Sequence, residues 1–220
     1  MPIPLHLSDL WKFLETEVVW LHGRWQIYRQ IFGTSPERID IINSVARTFF
    51  WVTQRVLMND VQLTLMKLAD RPSTGDKDKD KDNATLAHLL ARVERIPETG
   101  LAQALRTSLD AYGTACAKIK VRRNKDLAHY DLKIQLSDKA ISLPNPNRAE
   151  IEAALVELRH FMNLFRDHFE GSQMAYEHFA MQDDANALMF ALKESLRYRA
   201  LQAEGSIPHE DILKSPHVDA

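Results

Sequence analysis

Cysteine occurs once in the 220 residues, at Cys116, which excludes an intrachain disulfide framework and a cysteine-based zinc cluster. That usage fits a reducing compartment, and a cytoplasmic location is the expectation. The seven glycines are scattered, and none forms a phosphate cradle ahead of a lysine and a hydroxyl, which argues against a P-loop nucleotide hydrolase. No run approaches the roughly 18 consecutive apolar residues of a membrane span. Lys12, Glu15 and Glu17 interrupt the amino-terminal segment where a signal core would lie, so a soluble, unprocessed chain is expected. A formal charge of -2 and a pI near 6.5 remove any global electrostatic attraction to a polyanion, so a nucleic-acid contact must be local. Nucleophile-elbow serines, HExxH and repeated Glu-x-x-His pairs are missing, which leaves acyl transfer and metal-dependent chemistry without support. No metal or other cofactor is expected.

What the sequence does contain is helical patterning. β-branched residues form no sustained alternation, and leucine and alanine dominate the apolar set. From about Ser8 to Phe32, Leu10, Phe13, Leu14, Val18, Leu21, Trp25, Tyr28 and Ile31 recur at helical spacing, with Ser8 as N-cap and Gly33 as stop. The four tryptophans all fall in the first 51 residues and are assigned to packing, in the core or at a subunit contact. Ser35 and Pro36 start a second helix, because serine caps free amides and proline at the first helical position loses nothing by lacking an N–H. Its expected buried face is Ile42, Val45, Phe49, Val52, Val56, Leu63 and Met66, with a kink at Asn59–Asp60 and an end by Asp70 or Arg71 ahead of Pro72.

Residues 71–83 read as an exposed, mobile charged linker of alternating Asp and Lys. Asn83 is expected to cap a short helix carrying Leu86, Leu89, Leu90 and Val93. A helix from about Glu98 follows, with a stripe through Leu101, Leu105, Leu109, Tyr112, Cys116 and Ile119. Residues 133–147 suggest a short hairpin or an irregular loop. Asn147 and Glu150 then form a capping-box start to a helix with Ile151, Leu155, Leu158, Phe161 or Met162, Phe165 and Phe169 inward and Gly171 at its end. A last helical region over 174–203 is expected to break near Asp183–Asp184, and residues 206–220 read as a disordered tail. The expectation is all-α: a single helical bundle of about six helices over residues 1–205.

The concentrated chemistry lies in Val121–Asp131, VRRNKDLAHYD. Continuing the preceding stripe in steps of three and four lands on Arg123, then Leu127 and Tyr130. A guanidinium at a core position needs a carboxylate, a phosphate or backbone carbonyls as partner. The plain structural reading is a helix with cations near its C-terminal end, complementing its dipole.

The run Arg123-Asn124-Lys125-Asp126-Leu127-Ala128-His129, followed by Tyr130 and Asp131, resembles the signature of the HEPN superfamily: an arginine and a histidine four to six residues apart, with a polar residue after the arginine. More narrowly it is similar to the abortive-infection U-type branch, as are IYRQIFG and LMKLADRPSTGD upstream. The resemblance spans roughly residues 10–170 and implies a HEPN-like bundle in which Arg123 and His129 are catalytic and Asn124 shapes the site. It further implies a homodimer whose two motif helices build one composite site that cleaves RNA without metal. Arg122 and Lys125 would hold the phosphate backbone. The same resemblance implies a toxin or antiphage role and a cognate antitoxin. Its alternative is a non-catalytic HEPN-like module that binds RNA, nucleotide or a protein partner. On an ideal helix Arg123 and His129 lie about 120° apart, whereas Arg122 and Lys125 lie within about 40° of His129. Three arrangements therefore stay open: a distorted helix, a meeting of the two residues through a second chain, or Arg122 as the working arginine.

Overall fold

Helix boundaries in this chain follow from its caps and prolines. A computed structural model describes residues 2–74, 81–97, 99–127 and 146–207. Among these residues there are seven α-helices: α1 (Leu5–Phe32), α2 (Pro36–Leu68), α3 (Leu86–Val93), α4 (Thr99–Ala115), α5 (Ala117–Arg122), α6 (Arg148–Glu170) and α7 (Ala185–Ala203). The all-α expectation holds. The only paired strands among the described residues are β1 (Ser73–Thr74) and β2 (Lys81–Asp82), which join the two ends of the charged linker in an antiparallel ladder. The hairpin or loop expected over residues 133–147 lies almost wholly outside the described residues, as do most of the expected tail and the middle of the charged linker.

Several starts and stops match their residues. Ser35 Oγ accepts from the Arg38 amide at 3.4 Å, with Pro36 opening α2. Asn147 and Glu150 form the expected reciprocal capping box, and Gly171 ends α6 in the left-handed conformation, φ 61°. Asp184 caps α7 through the Asn186 amide. Others differ. Ser8 lies inside α1, because the Pro4 carbonyl already accepts from the Leu7 and Ser8 amides. Thr85, not Asn83, caps α3, its hydroxyl accepting from the His88 amide at 3.1 Å. Asn83 instead ties the linker down, donating from its side chain to the Arg71 carbonyl and from its amide to the Pro72 carbonyl. The region after Gly171 opens with a 3₁₀ turn at Tyr176–His178 rather than an α-helix.

The chain divides into two compact units. The first comprises Met1–Gln26 and Leu57–Phe179. In it α4 runs against α6, and Leu14, Leu21, Leu65, Leu89, Leu105 and Phe161 are almost fully buried. Trp11 stacks on Phe165 with ring centroids 4.3 Å apart. The buried Tyr112 hydroxyl donates to the Leu65 carbonyl at 2.6 Å, tying α4 to the end of α2. Lys118 of α5 pairs with Glu150 at the start of α6. Phe13 departs from the expected stripe, being half exposed while Leu10 and Leu14 beside it are buried.

Packing of the second unit, Ile27–Val56 with the described part of residues 180–220, centres on Ile31, Ile42, Phe50, Ala185 and Met189. Arg38 here donates to the Gln30 carbonyl and to Asn186 Oδ1. Ala46 has non-helical dihedrals (φ -156°, ψ 64°), so the kink in α2 falls there rather than at Asn59–Asp60. The kink resets the helical phase. Phe50 turns inward, while Phe49, Val52 and Val56, expected inside, are exposed. The tryptophans also split: Trp11 and Trp25 are buried, Trp20 and Trp51 exposed, so the core of the chain accounts for two of the four.

His22 is buried in the first unit. Its Nδ1 lies 2.8 Å from the Val18 carbonyl oxygen and its Nε2 3.4 Å from Arg159 Nη1. Burial above all pushes its pKa from 6.5 down to about 4; the Val18 carbonyl opposes this, Arg159 adds to it, and Glu177 and Glu152 oppose it. Between pH 6.5 and about 4 the unfolded chain therefore binds a proton that the folded chain refuses. Stability contributed by this site is fully present above pH 6.5, falls as pH drops toward 4, and levels off below. The expected loss is about 3 kcal/mol, since each tenfold difference in proton affinity between the two states is worth about 1.4 kcal/mol. Urea unfolding from pH 7 to 4 should show this slope in the wild type and a shallower one in His22→Gln. An identical slope in the two proteins would contradict it.

Candidate active site

The motif arginine sits where three local features meet. The long motif helix expected from Glu98 onward is interrupted at Cys116 and resumes as α5, then winds into a π-helical turn over Arg123–Leu127. Extra residues in a turn re-aim the side chains that follow, and such π turns are frequent at functional sites. Ideal α-helical angles therefore do not hold within Arg123–Leu127. Distortion of the helix at the motif, one of the three open arrangements, is present.

Arg123 finds the partner that its stripe position demands. Its Nη1 donates to Asp70 Oδ2 at 3.0 Å, and both side chains are about a quarter to a third exposed. Asp70 follows the last turn of α2, next to Arg71 and Pro72, where the proline stops the helix and holds the carboxylate at its end. Arg123 Nε is buried without a hydrogen-bond partner among the described residues. A guanidinium carries five donors in a rigid fork, so a single carboxylate does not exhaust it.

The neighbouring motif residues are more open. Arg122 is half-buried, and Asn124 and Lys125 are exposed. The structure thus places Arg122, Arg123, Asn124 and Lys125 in one short segment. His129, Tyr130 and Asp131 lie outside the described residues. Asp70 is the residue that sequence reasoning missed. The signal for it was the need of Arg123 for a counter-charge, but nothing in the spacing singled out this aspartate from the others.

Below the motif, Cys116 is a free thiol in the core, and burial pushes its pKa up to about 11. A thiol held protonated in this way is a packing group rather than a nucleophile. Tyr112 is likewise raised well above the ordinary tyrosine value, chiefly by burial. These groups anchor the motif segment and leave its polar chemistry to the residues from Arg122 onward. His88 is half-buried, its Nδ1 3.0 Å from the Asn83 carbonyl oxygen, in keeping with a helix residue rather than a ligand.

The family model of AbiU2, a HEPN family, matches residues 5–188. The chain belongs to the HEPN AbiU2 family. It is accordingly an abortive-infection-associated HEPN module. The AbiU2 match takes in the motif, its Asp70 partner and helices α1 to α6 entire, so the ion pair lies within the family's extent. No curated protein and no solved structure matches the chain. Among the described residues no helix of this AbiU2 member is long and apolar enough to cross a membrane.

The Arg123–Asp70 pair makes its own prediction. Asp70→Asn should lower stability by about 0.5–1 kcal/mol, the range of partly solvated ion pairs. A double-mutant cycle with Arg123→Gln should return a coupling of the same size. A coupling indistinguishable from zero in low salt would mean that the two side chains do not meet in solution.

Proposed function

We propose that this chain is a HEPN-type, metal-independent endoribonuclease that acts as a homodimer, as a toxin or an abortive-infection effector. The observation that carries the proposal is Arg123: a motif arginine on a π-helical turn, held by the Asp70 carboxylate and with its Nε unengaged among the described residues, at the head of the RNKDLAH run of an AbiU2 family member. In this reading the ribose 2'-oxygen attacks the adjacent phosphorus, its proton passing to one imidazole. The bond from phosphorus to the 5'-oxygen breaks as the other imidazole protonates that oxygen. A 2',3'-cyclic phosphate and a 5'-hydroxyl remain. The two imidazoles are His129 from each of two chains, a residue type that exchanges protons near neutral pH. Arg123 stabilises the charge that grows on the phosphoryl oxygens. Asn124 shapes the site, and Arg122 and Lys125 hold the flanking phosphates. The reaction would take place in the cytoplasm, under the control of a cognate antitoxin.

The ion pair itself favours a second reading. An arginine already matched by Asp70 is electrostatically satisfied, as it would be in a non-catalytic module that binds RNA, nucleotide or a protein partner. Incubating the purified chain with single-stranded RNA in excess chelator separates the two. Cleavage is expected from the nuclease. Binding without cleavage would leave the module reading in its place.

A further inference from the structure

Besides pairing with Arg123, Asp70 lines a cavity of about 260 Å³. Phe13 and Glu17 of α1, Lys67 and Leu68 at the end of α2, and Asn83 ahead of α3 line it with Asp70. Three of its features point to an occupant. Phe13 belongs by spacing to the buried stripe of α1 but is half exposed, so its ring is available to a flat partner. The ionisable lining comprises two carboxylates, Glu17 and Asp70, against one ammonium, Lys67. Because Arg123 already neutralises Asp70, Glu17 and Lys67 remain as one acceptor and one donor, a combination that suits a base edge carrying both N–H donors and an acceptor better than a bare phosphate. The size lies below the roughly 300 Å³ at which pockets for drug-sized ligands begin, leaving space for one ring system.

We propose that this cavity receives an unstacked guanine base of the RNA whose backbone lies at Arg123. This extends the nuclease reading to a base-recognition site and rests on that reading for the connection to the backbone. Guanine is the base whose edge places two adjacent donors, N1–H and the 2-amino group, beside an acceptor, O6. Glu17 accepts from the donors, Lys67 donates to O6, and the purine stacks on Phe13. Single-stranded RNA is commonly read by stacking on aromatic side chains with hydrogen bonds to exposed base edges. Asp70 is common to both places: it lines the cavity and its Oδ2 accepts from Arg123. A seated base is thereby within one carboxylate of the motif arginine.

The test is binding of GMP, IMP, AMP and UMP to the full chain, followed by ligand-observed NMR. Affinity should fall from GMP to IMP, which lacks the 2-amino group, and further to AMP and UMP. Phe13→Ala should weaken GMP binding by about 5- to 150-fold, the range for loss of one base–aromatic stack, and Phe13→Tyr should restore it. Glu17→Gln should remove the preference for GMP over AMP while leaving the circular dichroism spectrum unchanged. Equal binding of the four nucleotides, no binding, or GMP binding indifferent to both substitutions would overturn the proposal. Cleavage of single-stranded RNA by the same preparation is scored separately. Cleavage without guanine selectivity removes the cavity's role and keeps the nuclease, whereas GMP selectivity without cleavage keeps the cavity and removes the nuclease.

Discussion

His129→Ala is expected to slow RNA cleavage by about 10²–10⁴-fold, the usual cost of losing a positioned general acid or base. Arg123→Ala should cost about 10²–10³-fold through loss of charge stabilisation at the phosphoryl group. It also strands Asp70 without its partner, so its stability falls as well. Arg123→Lys should recover little, because a point charge cannot reproduce the planar fork. The pattern across variants carries more than any single rate. Loss with His129→Ala and Arg123→Ala, but only a small effect of Arg122→Ala, identifies Arg123 as the working arginine. A reversed pattern identifies Arg122. Initial rates on a defined single-stranded RNA decide, and activity within about threefold of wild type in both His129→Ala and Arg123→Ala sinks the residue assignment.

Trp11→Ala should destabilise the fold by about 3–5 kcal/mol, the range for large aromatic truncations in a core. Trp11 is 1% exposed and its ring stacks on Phe165, so removal leaves a cavity lined by rigid neighbours. Trp20, 51% exposed, should tolerate the same change within about 0.5 kcal/mol, because surface truncations seldom exceed that. Urea denaturation of both variants measures the difference. Equal losses would contradict the assignment of Trp11 to the core and Trp20 to the surface.

The contrast between those two tryptophans marks how far the fold was legible. Spacing located the inward faces of α3 and α6 almost completely, since an uninterrupted helix carries its phase from end to end. Caps with a unique local solution, Ser35–Pro36, Asn147–Glu150 and Gly171, were likewise readable. The phase failed where the backbone broke without a proline or glycine to announce it. At Ala46 non-helical dihedrals turned Phe49, Val52 and Val56 outward; at Cys116 the motif helix was divided just as unannounced, but the stripe kept its phase there, with Tyr112, Cys116 and Ile119 buried as expected. Both interruptions depend on tertiary packing that a local window does not contain. Thr85 displaced Asn83 as cap because Asn83 found stronger use in closing the linker onto Arg71 and Pro72.

The candidate site was legible in the same uneven way. The misfit of Arg123 with its own stripe is a physical clue carried by residue spacing alone, and the carboxylate it demands is Asp70. Which carboxylate answers could not be read, because the pair joins residues 53 positions apart. The π-helical turn was foreshadowed only as a conflict in angles: an ideal helix could not bring Arg123 and His129 to one face. The site's remaining half, from Ala128 onward, lies outside the described residues, and the assignment of His129 stands on the motif.

The central claim is cleavage by transfer to the 2'-hydroxyl, and end-group analysis of the products tests it most directly. RNA digested by the purified chain in excess chelator should carry 2',3'-cyclic phosphate at the new 3' ends and hydroxyl at the new 5' ends, and His129→Ala should yield neither. Products bearing 5'-phosphate, or cleavage that chelator abolishes, would contradict the account.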